Sequence, residues 1–236
     1  MLYRKLEQYN KTDWYPFHMP GHKRNGAALE AGKLPYEIDI TEITGFDDLH
    51  HASGILKTCM EWAAKQYQTE RTYFLVNGST CGIQAAVSAA ANPGDTIIAA
   101  RNCHKSVYNT IFLRQLKPVY LYPEQLTELG INGAIQAAQV SEALSQYPQA
   151  KAVVIVSPTY DGIVSDIAAI SEICHRHRVP LIVDEAHGAH FPYSRYFPES
   201  AIAQGADAVI HSIHKTLPAL TQTALLHCQG DILAYK

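Results

Sequence analysis

The 236-residue sequence predicts an α/β protein: a three-layer α/β/α arrangement around a mainly parallel seven-stranded sheet, with an irregular N-terminal arm. Three observations predict it. Short apolar, β-branched runs recur between Tyr73 and Leu226, stretches of helical period separate them, and polar motifs stand where the runs end. Strands that are apolar along their whole length are buried on both faces, as in parallel sheets covered by crossover helices. Ligands of such sheets sit outside the carboxyl ends of the strands.

Residues 1–50 form the arm, because Trp14 to Lys23 and the turn-rich stretch after it keep neither a helical nor a strand period. Its last part, Asp39 to His50, is acidic. It suits either carboxylates near a cationic ligand or a solvated loop capping a helix that begins near Ser53. Residues 51–236 are expected to form one domain. There the apolar positions of Ile55 to Tyr67 predict a helix and Tyr73 to Val76 a strand. An alanine-rich helix follows from Cys81 to about Ala91, stopped by Asn92-Pro93-Gly94-Asp95. Further strands are expected at Thr96–Ala100, Pro118–Leu121, Ala152–Val156, Leu181–Val183, Ala208–Ile210 and Ala224–Leu226, with a helix from about Ser106 through Leu113.

Composition narrows the class. A hydrophobic fraction of 47%, 17% charged residues and a formal charge of -3 describe a globular protein with no electrostatic case for nucleic acid or anionic membrane. No apolar run is long enough to span a bilayer, and Met1 to Asn10 lacks the apolar core of a signal peptide. The five cysteines are odd in number and show no CxxC spacing. This points away from a disulfide framework or zinc site and towards a reducing cytoplasm.

The polar strand ends carry the chemistry. After Ala208-Val209-Ile210 comes His211-Ser212-Ile213-His214-Lys215-Thr216, a lysine at the exit of a buried strand. In apolar surroundings an amine loses hydration that favours its charged form and becomes a nucleophile or Schiff-base partner, although many lysines in such places are merely solvated. At Asn77-Gly78-Ser79-Thr80, two hydroxyls and the free N–H groups of a helix start converge as in a phosphate site, and Ser79 or Thr80 equally suits ordinary N-capping. Asp184 ends one strand and His104 opens a helix after another; alone, each reads as a cap or a satisfied helix-start residue. Together a phosphate cradle (Ser79, Thr80, Ser212, His214), a flat ring (His104), a buried carboxylate (Asp184) and an amine (Lys215) make the parts list for pyridoxal 5′-phosphate.

The chain resembles the major domain of the bacterial Orn/Lys/Arg decarboxylase family, of the aspartate-aminotransferase fold type. The resemblance is carried by Phe17 to Lys23, Asp39 to Glu42 with Gly45 to Leu49, Asn77 to Thr80, Arg101 to Ser106, Ser157 to Gly162, Asp184 to Gly188 and His211 to Lys215. It implies that Lys215 is the Schiff-base lysine, Asp184 the partner of the pyridine nitrogen, and His104 the residue stacked on the ring. Ser79, Thr80 and Ser212 would hold the phosphate with His214 adjacent, while Ala186 packs on the other ring face and His187 lies beside the cofactor. Residues 51–236 would then be the cofactor-binding large domain, and the family's smaller C-terminal domain is expected to be absent. The implied activity is decarboxylation of arginine, lysine or ornithine to a polyamine precursor by a homodimer or higher homo-oligomer. Transamination, aldol-type cleavage, or a truncated cofactor-binding fragment without turnover would use the same residues.

Overall fold

The computed structural model describes residues 13, 47–231 and 233. Most of the arm, with Trp14 to Lys23, Asp39 to Glu42, Gly45 and Phe46, lies outside the described residues. Asp47 and Asp48 lie inside and act as caps. The Asp47 carboxylate accepts backbone N–H bonds from Ser53, Gly54 and Leu56 at 2.8–2.9 Å, ahead of helix α1 (Ile55–Tyr67). These bonds, led by that of Ser53, hold its pKa down at about 2. Asp48 likewise caps the 3-10 turn Leu49–His51. The capping reading of this segment therefore holds for both carboxylates. We expect Asp47→Ala to lower the thermal unfolding midpoint by about 2–4 °C, because it orphans N–H groups at the start of α1. A midpoint unchanged in calorimetry would make the cap dispensable.

The chain then alternates as its apolar runs dictate: β1 (Arg71–Leu75), α2 (Gly78–Ala90), β2 (Thr96–Ala100), α3 (Lys105–Leu113), β3 (Lys117–Leu121). A short hairpin, β4 (Gln125–Leu126) and β5 (Ile131–Asn132), leads into α4 (Ala137–Gln146), β6 (Val153–Val156), α5 (Ile167–Arg176) and β7 (Leu181–Asp184). Last come β8 (Ala208–Ser212), the one-turn α6 (Ile213–Thr216) and β9 (Ala224–Cys228). Seven strands form one sheet in the order β1-β9-β8-β7-β6-β2-β3. The β8-β7-β6-β2-β3 pairs are parallel, and β9 runs antiparallel between β1 and β8. The sheet is thus mainly parallel, as expected, with one reversed strand. Too little chain separates β8 from β9 for the crossover that a parallel pair needs, so the chain turns back.

Several boundaries shift by one to three residues from those the sequence predicts, among them β8, which runs on to Ser212, and β9, which runs on to Cys228; two more flank the loop after β1. Val76 leaves the strand as an exposed turn residue, and α2 begins at Gly78 rather than Cys81. Gly78 makes this early start possible with φ +70, which a residue bearing a Cβ adopts at a cost. Strands β2, β7 and β8 are buried along their length. Helices cover both faces. On one face α2 packs so closely on β8 that a Cβ at Gly82 would lie 3.2 Å from Ile210 Cγ2. On the other, Tyr67 of α1 reaches the ring of His211, the next residue of β8. This two-residue alternation decides which side chains belong to the site.

Candidate active site

The β7–β8 register sets Asp184 opposite Ile210. Asp184 therefore shares the face on which Ile210 meets α2, and Ser212, two residues further along β8, shares it too. At that rim the first turn of α2 brings in Ser79, whose hydroxyl is hydrogen-bonded to that of Ser212. Ser212 is fully buried. Asn77 is the N-cap residue of α2 but makes no side-chain cap bond. Neither Ser79 nor Thr80 is therefore the cap; both lie in the first turn, beside backbone N–H groups that no cap side chain satisfies. Ser79 is half-buried and Thr80 exposed. The helix start is thus a ready anion site, with the positive end of a 13-residue helix behind it.

Lys215 follows one turn after β8, half-buried, with its Nζ 3.1 Å from His187 Nε2. Burial lowers the pKa of Lys215, and the Asp184 charge opposes the shift. Burial acts oppositely on Asp184, raising its pKa against the pull of Lys215, of the Ala186 N–H 3.2 Å away and of His104. His187 is driven down to about 4, first by burial and then by Lys215, His104 and His214, so it is neutral at pH 7. A neutral imidazole can exchange a proton with an amine at that distance. His214, buried, is tied by Nδ1 to the Thr223 carbonyl at 3.1 Å. Ala186 is buried beside Asp184. His104 is exposed and is the N-cap of α3, its Nδ1 accepting the Ser106 N–H at 3.2 Å. The satisfied helix-start reading of His104 thus holds, at a position from which its charge still acts on Asp184 and His187.

The donors present fit pyridoxal 5′-phosphate: an uncapped helix start with two serine hydroxyls, a buried carboxylate and a partly desolvated amine. Among the described residues, Thr216 Oγ1 and Asn102 Oδ1 are buried without a hydrogen-bond partner, in the segments that carry Lys215 and His104. Buried polar atoms are seldom left unpaired, and a polar ligand held between these two segments would supply the missing partners. Sequence reasoning gives neither a role, nor one to Tyr160, whose ring stands edge-on to His187 at 5.6 Å. All three lie within motifs legible in the sequence, but nothing local distinguishes them from loop residues.

The model of the Orn/Lys/Arg decarboxylase major domain matches residues 1–235. The chain belongs to that family. It is 41% identical to the protein YaaO of Bacillus subtilis (strain 168) over 98% of this chain and 49% of that one. It is 36% identical to the arginine decarboxylase of the same organism, over 99% of this chain and 49% of the relative. The crystal structure of the Francisella novicida lysine decarboxylase LdcF superposes with a TM-score of 0.68 at 26% identity, covering 96% of this chain and 35% of that one. The chain thus spans about half the length of these Bacillus relatives, 49% in each case. Its α/β fold is that of the pyridoxal phosphate-dependent fold-type-I enzymes, and family and fold together indicate pyridoxal 5′-phosphate as the cofactor.

These histidines give the family member a pH signature. His187 and His211, ordinarily near 6.5, titrate at about 4 and about 3 in the folded chain because burial penalises their cations. The unfolded chain therefore binds protons first, and their contribution to stability is full above 6.5 and lost as pH falls through those values. Between pH 6.5 and 4 the thermal midpoint of the wild type should fall relative to that of His187→Asn, which lacks the His187 share of this loss, while the raised carboxyls of Asp184 and Glu185 act in the opposite sense in both chains. An unchanged slope in that variant would assign the loss to the other histidines.

Proposed function

We propose that this chain carries the active centre of a pyridoxal phosphate-dependent decarboxylase of a basic amino acid: arginine, lysine or ornithine. The observation that carries the reading is the buried Asp184 carboxylate on the same rim as a half-buried Lys215, each shifting the other's pKa. Lys215 would anchor the cofactor, Asp184 would face its pyridine nitrogen, and His104 and Ala186 would flank its ring. Ser79, Thr80, Ser212 and His214, with the N–H groups opening α2, would hold the phosphate. When bound, the cofactor supplies the electron sink that makes loss of carbon dioxide feasible.

The chain's own residues do the rest. Burial leaves Lys215 with a larger neutral fraction than a surface lysine has, and the neutral amine is the nucleophilic form. His187, neutral and 3.1 Å from Nζ, can take up or return a proton at that atom. Asp184 holds negative charge, or a proton, where water cannot screen it, so its influence on a neighbouring cation is stronger than at the surface.

The assignment of residues 1–50 to an arm and 51–236 to the cofactor domain belongs to the same reading, supported by the placement of every candidate residue between 79 and 215. So does self-association, which Phe112, Leu113 and Tyr122, exposed apolar side chains on and near α3, favour. The test is to add pyridoxal phosphate, reduce with borohydride, map the tagged lysine by mass spectrometry, and measure carbon dioxide released from the three amino acids. Label on Lys215 with carbon dioxide from one of them supports the reading. A keto acid or aldehyde product, or label spread over exposed lysines, overturns it.

A further inference from the structure

Behind the candidate site, on the opposite face of the sheet, lies a buried polar chain that the proposed reaction does not use. Thr72 Oγ1 bonds His227 Nδ1 at 2.8 Å, His227 Nε2 bonds His211 Nδ1 at 3.1 Å, and His211 Nε2 bonds Glu185 Oε2 at 2.6 Å. Glu185 Oε2 also accepts the Ser200 hydroxyl at 2.8 Å, and its Oε1 accepts the Ala201 N–H at 2.8 Å. Tyr67 lies against both histidine rings, and His190 acts on Glu185 through its charge. All five chain members, Thr72, His227, His211, Glu185 and Ser200, are at most 4% exposed.

The chain runs across three adjacent strands in sheet order, β1, β9 and β8, and ends on Glu185, the residue just past β7. Thr72 and His227 are direct partners in the β1–β9 pair. His227 lies opposite Val209, two residues from His211 on β8, a diagonal contact on one face. The last link is different in kind. The β7–β8 backbone ladder ends at Asp184 opposite Ile210, so Glu185, one residue past the end of β7, and His211 of β8 are joined only by their side chains. Asp184 precedes Glu185 and Ser212 follows His211, each on the site face. The hydrogen bond on one face therefore continues the pairing one step beyond the backbone, at the place where the other face begins to carry the site.

We propose that Glu185 and His211 are positioning residues: their hydrogen bond holds the ends of β7 and β8 together and so sets the spacing between Asp184 and the Ser212–Lys215 turn. The proposal rests on the reading of Asp184 and Lys215 as the working pair. Either direction of the chain satisfies every nitrogen. With Glu185 protonated, its carboxyl O–H donates to His211 Nε2, His211 Nδ1–H donates to His227 Nε2, and His227 Nδ1–H donates to Thr72 Oγ1; with Glu185 ionised, every donor reverses. Burial raises the pKa of Glu185 to about 8, a shift that favours the first of these directions.

The test reads Lys215 in the cofactor-free full chain, by competitive acetylation with acetic anhydride across pH and mass spectrometry of the Lys215 peptide. Loosening the β7–β8 end admits water and relieves the burial that lowers the Lys215 pKa. Glu185→Ala should therefore raise its apparent pKa by about one unit. His211→Phe keeps the ring volume and should do the same, and serves if Glu185→Ala fails to unfold cooperatively. Glu185→Gln, whose amide still bonds His211, should stay at the wild-type value. Thr72→Val breaks the chain at its far end and calibrates what lost stability alone does; it should leave Lys215 unmoved. No shift in Glu185→Ala and His211→Phe, or an equal shift in Thr72→Val, overturns the proposal. Borohydride tagging of the wild-type chain tests the cofactor reading separately, since acetylation of Lys215 does not depend on it.

Discussion

Lys215→Ala is expected to remove the proposed decarboxylation by at least about a thousandfold while leaving the chain folded. Lys215 is the half-buried amine whose Nζ meets His187, and its pKa is drawn down by burial. Alanine removes the nucleophile outright, and among the described residues no nearby amine replaces it: His187 and His104 are imidazoles, and Lys105 begins another helix, α3. The fold should not suffer. An amine whose folded pKa is lowered sits in surroundings that disfavour its charge, so deleting it relieves a desolvation cost at neutral pH. The measurement is carbon dioxide release beside the thermal midpoint of the same preparation. A variant keeping more than a tenth of wild-type turnover would move the chemistry elsewhere. A variant that unfolds would make Lys215 structural.

Asp184→Asn carries the second large effect, and it separates activity from stability. The asparagine keeps the shape and can still accept the Ala186 N–H, but it cannot ionise. Turnover should fall by about 100- to 1000-fold, the size seen when one preorganised electrostatic partner is removed from an active site. The same change withdraws the charge that holds the Lys215 pKa up, so Lys215 should titrate lower than in the wild type. Stability should move the other way. The folded pKa of Asp184 is raised above 3.8, first by burial. Its contribution to stability is therefore full below 3.8 and lost as pH rises through the folded value. At pH 7 the variant, free of that loss, should be more stable than the wild type. Denaturation at pH 4 and pH 8 checks the sign: the advantage of Asp184→Asn should be larger at pH 8. An equal advantage at both pH values would refute the assignment of the cost to the buried carboxylate.

Much of the fold is legible in the order of residues alone. The runs Thr96–Ala100, Leu181–Val183 and Ala208–Ile210 are strands because buried strands need apolar, β-branched residues, and that need is written locally. The start of α2 is less legible, because alanine enrichment marks a helix interior, whereas Gly78 opens the helix through its backbone freedom. The reversal of β9 is not legible, since an apolar run has the same composition in either direction. The β4–β5 hairpin is too short for its alternation to rise above its neighbours.

The sequence by itself determined the alternation of strands and helices, the placing of Ser79, His104, Asp184, Ser212 and Lys215 at strand ends, and, through seven motifs in order, the family. These are local facts: each depends on residues within a few positions of one another. Only the tertiary structure decided which end meets which. The Ser79–Ser212 contact, the approach of His187 to Lys215, and the Glu185–His211–His227–Thr72 chain join residues far apart in sequence. The physical reason is the two-residue alternation of a strand. Asp184 and Glu185 are neighbours of like chemistry in the sequence, yet the strand sends one into the candidate site and the other through to the opposite face.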